Sequence, residues 1–124
     1  MLNKTFLIGH VGNDFKETGE GRGYFSIYTT ERLLNAKGEK IETSEVHVIG
    51  ISGKLFSVAK DIVKSGRLFY VEAKLKHVLN EDKNGKKTNS TFINATFIKM
   101  LSKSTKEITE KALRDASKEQ KEKT

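Results

Sequence analysis

Residues 43–77 constrain the fold of this chain more than any other stretch. They open with an extended run, Thr43-Ser44-Glu45-Val46-His47-Val48-Ile49-Gly50-Ile51, in which odd and even positions separate into two faces. His47, Ile49 and Ile51 face one way, and Val46, Val48, Gly50 and Ser52 the other. Ser52-Gly53-Lys54 breaks the run. From Leu55 to Ser65, Leu55, Val58, Ala59, Ile62 and Val63 recur at helical spacing as one buried stripe, with Lys54, Lys60 and Lys64 outside it. Gly66 suits a C-terminal cap, and a second strand pattern runs from Arg67 to Val78. Taken alone, strand, helix and strand are compatible with a βαβ unit. The flanking sequence argues for a small all-β barrel with one helix set between its third and fourth strands.

Lys4 to Val11 is rich in β-formers and is interrupted by Gly9 and Gly12, as a strand is where it bulges or turns a barrel corner. Asn13-Asp14 and Gly19-Glu20-Gly21-Arg22-Gly23 are turn chemistry. The glycine cluster lacks the Gly-Lys-Ser/Thr ending of a phosphate loop and precedes a strand, not a helix. Tyr24 to Thr30 is the second strand, with Phe25, Ile27 and Thr29 inward and Tyr24, Ser26 and Tyr28 outward. A polar connection over 31–42 carries Arg32, Lys37 and Lys40, with Ala36-Lys37-Gly38-Glu39 as a hairpin tip. In the fourth strand Phe69, Val71, Ala73 and Leu75 point inward and Tyr70, Glu72, Lys74 and Lys76 outward. Asp82-Lys83-Asn84-Gly85-Lys86-Lys87 forms a second long hairpin with an Asn-Gly turn signal. Its spacing and lysines do not fit a calcium loop. Thr91 to Leu101 is the fifth strand. Beyond it, residues 102–124 form a charged tail, with Ile108, Ala112, Leu113 and Ala116 as the stripe of a marginal helix. The expected architecture is therefore a five-stranded oligonucleotide-binding (OB) barrel over 1–101, followed by that tail.

Composition narrows the function. The net charge is +7, of which +5 falls in residues 1–101. A basic domain favours a polyanion, nucleic acid before an anionic membrane, unless the excess lysine only solvates the surface. Without cysteine there is no thiolate chemistry and no disulfide, which fits a reducing, cytoplasmic setting. The chain has no run of apolar residues long enough for a membrane span, and its first residues lack a signal peptide's hydrophobic region. Three scattered histidines specify no metal site, and no Ser-His-Asp or paired-carboxylate arrangement supports catalysis. The expectation is a binder, not an enzyme, with no cofactor, no metal and no small-molecule substrate. Lysines neutralise phosphates, and exposed tyrosines stack on any base. Candidate contacts are Tyr24, Tyr28 and Tyr70, with Arg32, Lys74 and Lys76 beside them. Lys37, Lys40, Lys83, Lys86 and Lys87 crown the two hairpins. Each tyrosine has an alternative as core or interface packing.

An ordered series of segments carries a family resemblance. Asn3-Lys4-Thr5-Phe6-Leu7-Ile8-Gly9-His10-Val11-Gly12-Asn13-Asp14 resembles the opening strand of bacterial single-stranded DNA-binding proteins. Phe25-Ser26-Ile27-Tyr28-Thr29-Thr30-Glu31 resembles their second strand. Ser44-Glu45-Val46-His47, Gly53-Lys54-Leu55, Val58-Ala59, Lys64-Ser65-Gly66 and Val71-Glu72 follow in the order of their third strand, helix and fourth strand. Ile93-Asn94-Ala95, Ile98 and Met100-Leu101 are similar to the closing strand. The resemblance spans about residues 2–101. It implies a homotetramer or homodimer that coats single-stranded DNA in replication, repair or plasmid and mobile-element transfer. Lys4 and Lys54 fall at the family's DNA-contacting lysines, and His47 at a subunit-interface histidine. Positions matching the family's stacking aromatics are Leu33, Val46, Ser52 and Asn80, and the ending Lys118-Glu119-Gln120-Lys121-Glu122-Lys123-Thr124 is not an acidic, apolar tip. These departures, with apolar Leu33, Val46 and Val48 on that face, sustain an alternative: a protein-interaction module of a replication assembly, like the primosomal accessory proteins.

Overall fold

The computed structural model describes the backbone of residues 1–122 and side chains through residue 117; Lys123 and Thr124, the last of the expected tail, lie outside the described residues. The elements are β1 (Thr5–Val11), β2 (Lys16–Gly19), β3 (Arg22–Leu34), β4 (Lys40–Ser52), α1 (Leu55–Ile62), β5 (Leu68–Glu81), β6 (Lys87–Ser102) and α2 (Thr105–Glu122). The strands run in the order β1-β5-β6-β4-β3-β2, and an added β1–β3 pairing closes five of them into a barrel. All pairings are antiparallel except β4–β6, which is parallel through Ile49↔Ile93 and Gly50↔Asn94. Strands β4 and β5, which flank the helix, are not neighbours, so no βαβ unit forms.

Closure brings the inward phase of each strand together. Val11, Phe25, Ile27, Ile49, Ile51, Phe69, Val71, Ala73 and Ile98 are buried, with Ala59 and Val63 brought in by α1. The Phe25 and Phe69 rings meet at 6.3 Å across the barrel axis. The β1 glycine is there for space. A β-carbon at Gly9 would lie 2.4 Å from the Tyr28 carbonyl oxygen, where β1 leaves β5 to meet β3.

Several details differ from the expectations. Of the two readings of Gly9, the barrel corner holds and the bulge does not, since β1 is continuous and Gly9 lies at its close approach to β3. β2 is an additional short strand between the two expected turns, hairpinned onto β3. It places Phe15 beside Phe56 of α1, rings 5.7 Å apart. Phe56 thereby takes the place in the helix stripe assigned to Val58, which is exposed. α1 stops at Ile62, and Gly66, further along, donates its N–H to the Val11 carbonyl instead of capping the helix. Leu75 is exposed because the barrel wall ends near Ala73 and β5 continues as a free arm, with its Leu75 N–H held by the Asn3 carboxamide oxygen.

The stripe expected after residue 102 is a full helix, α2, docked at its first turn. Ser104 and Glu107 form a reciprocal capping box: Ser104 N–H donates to Glu107 Oε2 (2.7 Å) and Glu107 N–H to Ser104 Oγ (3.1 Å). Arg67 donates to the same carboxylate from Nε and Nη2, and from Nη1 to the Ile62 carbonyl at the end of α1. One guanidinium therefore joins both helices to the start of β5. Its hydrogen bonds, then that from Ser104 N–H, hold the Glu107 carboxyl down at about 2.

Replacing Phe69 by alanine should cost about 3–5 kcal/mol in denaturant-induced unfolding. Glu107 has a folded-state pKa below its unfolded one, so the stabilisation of α2 is complete above pH ~4.5 and is lost as pH falls towards about 2. Amide exchange in the first turn of α2 should rise across that window, and Glu107→Gln should remove the dependence.

Candidate nucleic-acid interface

The outward phases of the strands build the site. Register sets Tyr24 of β3 opposite Gly50 of β4, Gly50 beside Asn94 of β6, and Asn94 opposite Lys74 of β5. Lys16 of β2 pairs with Tyr24 at the other end of this row. The β1–β5 ladder, extended by the Asn3 side chain bonded to both backbone groups of Leu75, carries Lys4 abreast of Lys74. One strip across the barrel wall thus bears lysine at both ends and an aromatic, a glycine and an amide between them. The adjacent row holds Lys76 opposite Phe92, and Val48 opposite Ser26. A groove of about 1250 Å³ lies over these two rows.

Tyr24 and Tyr28 are both part-exposed, at 38% and 37%. Tyr28 stacks on His10, ring centroids 5.8 Å apart, and pairs with Val46. Tyr70 is not part of this group. It sits between Ile8 and Lys99 on the β1–β5–β6 wall, half-buried, with its hydroxyl donating to Glu72 Oε1 (2.8 Å) and its ring against Phe97. That hydrogen bond, and then burial, raise its pKa above the ordinary phenol value. Arg32 lies on the β3–β4 arm in a loose, exposed pair with Glu42 (3.9 Å). Lys54 is exposed directly after Gly53, which lines the end of the groove. His47 is half-buried and shares a 3.1 Å hydrogen bond between Nε2 and Thr29 Oγ1.

The remaining lysines ride on two arms that project from the barrel, β3–β4 and β5–β6. Their tips are built alike. Asn35 Oδ1 accepts from Lys37 and Glu39 N–H, and Asp82 Oδ1 accepts from Asn84 and Lys86 N–H. Backbone bonds Asn35 N–Glu39 O and Asp82 N–Lys86 O close each turn, with Gly38 and Gly85 at φ of 76° and 77°. Lys37 and Lys40 sit on one arm, and Lys83, Lys86 and Lys87 on the other.

Residues 2–101 match the single-strand binding protein family. The chain belongs to this family. Single-stranded DNA-binding protein 1 of Chlorobaculum tepidum is 36% identical over 105 residues, covering 81% of this chain and 65% of that protein. The single-stranded DNA-binding protein of Neisseria meningitidis serogroup B is 33% identical over 104 residues, covering 81% and 60%. The chain spans less than two thirds of the length of these relatives. Among solved structures, the wild-type Thermus aquaticus single-stranded DNA-binding protein superposes with a TM-score of 0.65 at 25% identity, covering 82% of this chain and 50% of that one. A Plasmodium falciparum SSB in complex with single-stranded DNA gives 0.68 at 22%, covering 82% and 97%, a likeness of fold.

Against the family background, sequence reasoning missed Phe92, 49% exposed, and Asn94. The reason is a β-bulge. Thr96 has no partner on β5, its hydroxyl donates to the Glu72 carbonyl, and the inward phase of β6 switches from Ile93 and Ala95 to Ile98 and Met100. Alternation counted from the buried end of β6 therefore assigns Phe92 the wrong face. Among the described residues, no group of three His, Asp or Glu side chains is placed to hold a metal ion, and no helix is long and apolar enough to cross a membrane.

Asp82→Ala should speed amide exchange at Asn84 and Lys86 by on the order of tenfold, at about 1 kcal/mol per lost hydrogen bond. The melting temperature should barely move, because the arm lies outside the core.

Proposed function

We propose that this member of the family binds single-stranded DNA with little sequence preference, holding the phosphates by lysine and adding limited aromatic stacking. Support comes above all from the strip across the wall, where Lys4, Lys74 and Lys16 flank Tyr24 on an exposed face. A single strand laid along it meets charge at both ends and a ring between. Lys76 borders the same groove, Lys54 follows Gly53 of its lining, and the arm lysines Lys37, Lys40, Lys83, Lys86 and Lys87, with Arg32, extend the positive surface beyond it. Tyr28 offers the part of its ring left exposed beside His10. Tyr70 contributes less, since its hydroxyl is engaged and its ring is part-covered.

The reading includes assembly as a homotetramer or homodimer and work in replication, repair or the transfer of plasmids and mobile elements. Exposed Phe6, Ile8 and Phe97 on the β1–β5–β6 wall are apolar surface that a second copy would cover, and His47 is the proposed interface histidine. A second reading, a protein-interaction module, draws on Val46 and Val48, 69% and 58% exposed, and Leu33, also exposed. A gel shift with single-stranded DNA separates the two: a shifted band favours the first, and none the second.

Titration of labelled oligo-dT at several salt concentrations should give an affinity that falls steeply with salt. Lys74→Ala together with Lys76→Ala should reduce the log–log slope by roughly 1.4, about 0.7 per phosphate contact on a single strand. The loss should be the same for every sequence. Salt-independent binding would rule the electrostatic reading out.

A further inference from the structure

The tip of the β5–β6 arm holds Asn84-Gly85, and of the seven asparagines in the chain only Asn84 is followed by glycine. Both residues are exposed in the turn between the two strands. The Asn84 main chain is held, its N–H donating to Asp82 Oδ1 at 2.9 Å, but its carboxamide has no protein hydrogen bond among the described residues. The matched arm shows that the turn does not require an asparagine there. Position for position the tips read Asn35-Ala36-Lys37-Gly38-Glu39 and Asp82-Lys83-Asn84-Gly85-Lys86. Lys37 therefore stands where Asn84 does, before a glycine of nearly the same positive φ, 76° against 77°. The other asparagines differ on both counts. Asn3, Asn13 and Asn35 have bonded carboxamides, Asn80, Asn89 and Asn94 lie within strands, and none precedes glycine.

An unbonded carboxamide next to a main-chain nitrogen that no side chain shields is set for one uncatalysed reaction, closure to a succinimide. We propose that Asn84 is a self-modification site whose pace is set by the Asp82 turn. The Gly85 nitrogen attacks Asn84 Cγ: the N–Cγ bond forms, the Cγ–Nδ2 bond breaks, and the displaced nitrogen leaves as ammonia with the Gly85 amide proton. Water then opens the ring at either carbonyl, giving aspartate or isoaspartate. Glycine has no Cβ to obstruct the attacking nitrogen, and nothing lies within 4 Å of where a Gly85 β-carbon would stand. Lys83 and Lys86 on either side favour the deprotonated form of that nitrogen. The closed turn acts as the brake. Its Gly85 N–H donates to the Asp82 carbonyl at 3.1 Å, and Asp82 Oδ1 takes the N–H groups of Asn84 and Lys86. Ring closure proceeds from the opened turn, and Asp82 sets how often the turn opens. Either product places a carboxylate among Lys83, Lys86 and Lys87 and lowers the charge of residues 82–87 from +2 to +1. Isoaspartate also lengthens the main chain by one carbon inside the turn and breaks its hydrogen-bond register. The weaker pull of this arm on DNA rests on the single-strand-binding reading; the chemistry does not.

The test is ageing of the intact protein at mildly alkaline pH, read by peptide mass mapping and by an isoaspartate-specific methylation assay. The fragment bearing Asn84 should convert first, ahead of those bearing the other asparagines. Asn84→Gln should stop conversion at this position with the fold unchanged, because its longer side chain closes a ring far more slowly. Asp82→Ala should speed conversion severalfold, and by no more than it speeds exchange of the Gly85 amide, since one opening governs both. Asn84→Asp reproduces the charge of the product. It should bind labelled oligo-dT about two- to threefold more weakly at low salt, the worth of one exposed charge, with the difference fading as salt rises. Conversion absent at Asn84, or no faster there than at the other asparagines, overturns the proposal. So does a folded Asp82→Ala protein that converts no faster than the wild type. If the wild-type protein does not bind oligo-dT at all, the single-strand-binding reading has failed, while the conversion rates still decide the modification.

Discussion

Everything on the surface depends on how β1 closes the barrel. β1 pairs with β5 along most of its length and reaches β3 only at His10 and Val11, and the crossing needs a residue with no side chain at Gly9. The backbone around Val11 is then fastened on several sides. Val11 donates to the Arg67 carbonyl and accepts from Gly66, and Gly12 donates to Ser26. With the edge closed, the inward phases of five strands share one dry core, and the outward phases are left to carry chemistry. A side chain at Gly9 would push β1 from β3 and loosen both at once.

The same closure explains what the sequence discloses and what it conceals. In β3 and β4 the alternation is regular, so Phe25, Ile27, Ile49 and Ile51 could be placed inside, and Tyr24, Tyr28, Val46 and Val48 outside, from residue type alone. The order of elements around α1 was equally legible, since Ser52-Gly53-Lys54 opens one short helix and Gly66 precedes the next strand. The strand ends were not. Residues 30–44 and 76–91 form arms exposed on both faces, so no apolar period marks how far they extend. β2 escaped for a similar reason, being exposed at all of its positions.

For the candidate site, the lysines and tyrosines were visible as residue types, but their grouping was not. That Lys74 stands level with Asn94, Gly50 and Tyr24 follows from three separate registers, one of them parallel, which no local pattern encodes. Phe92 was hidden by the irregularity at Thr96, which reverses alternation within a single strand. Tyr70 shares residue type and outward phase with Tyr28, yet a carboxylate two residues away occupies its hydroxyl. The registers and the bulge are long-range information; the Tyr70–Glu72 bond spans only two residues, and what hid it is the side-chain conformation.

The matched tips of the two arms have a consequence for speed. Loops that must be ordered as they capture a ligand lose conformational freedom at that moment and bind more slowly or more weakly for it. Here Asn35 and Asp82 have already organised both ends before any ligand arrives. Under the proposed function, the arms would meet an incoming chain as preset jaws, and the time to engage would be governed by diffusion and charge attraction.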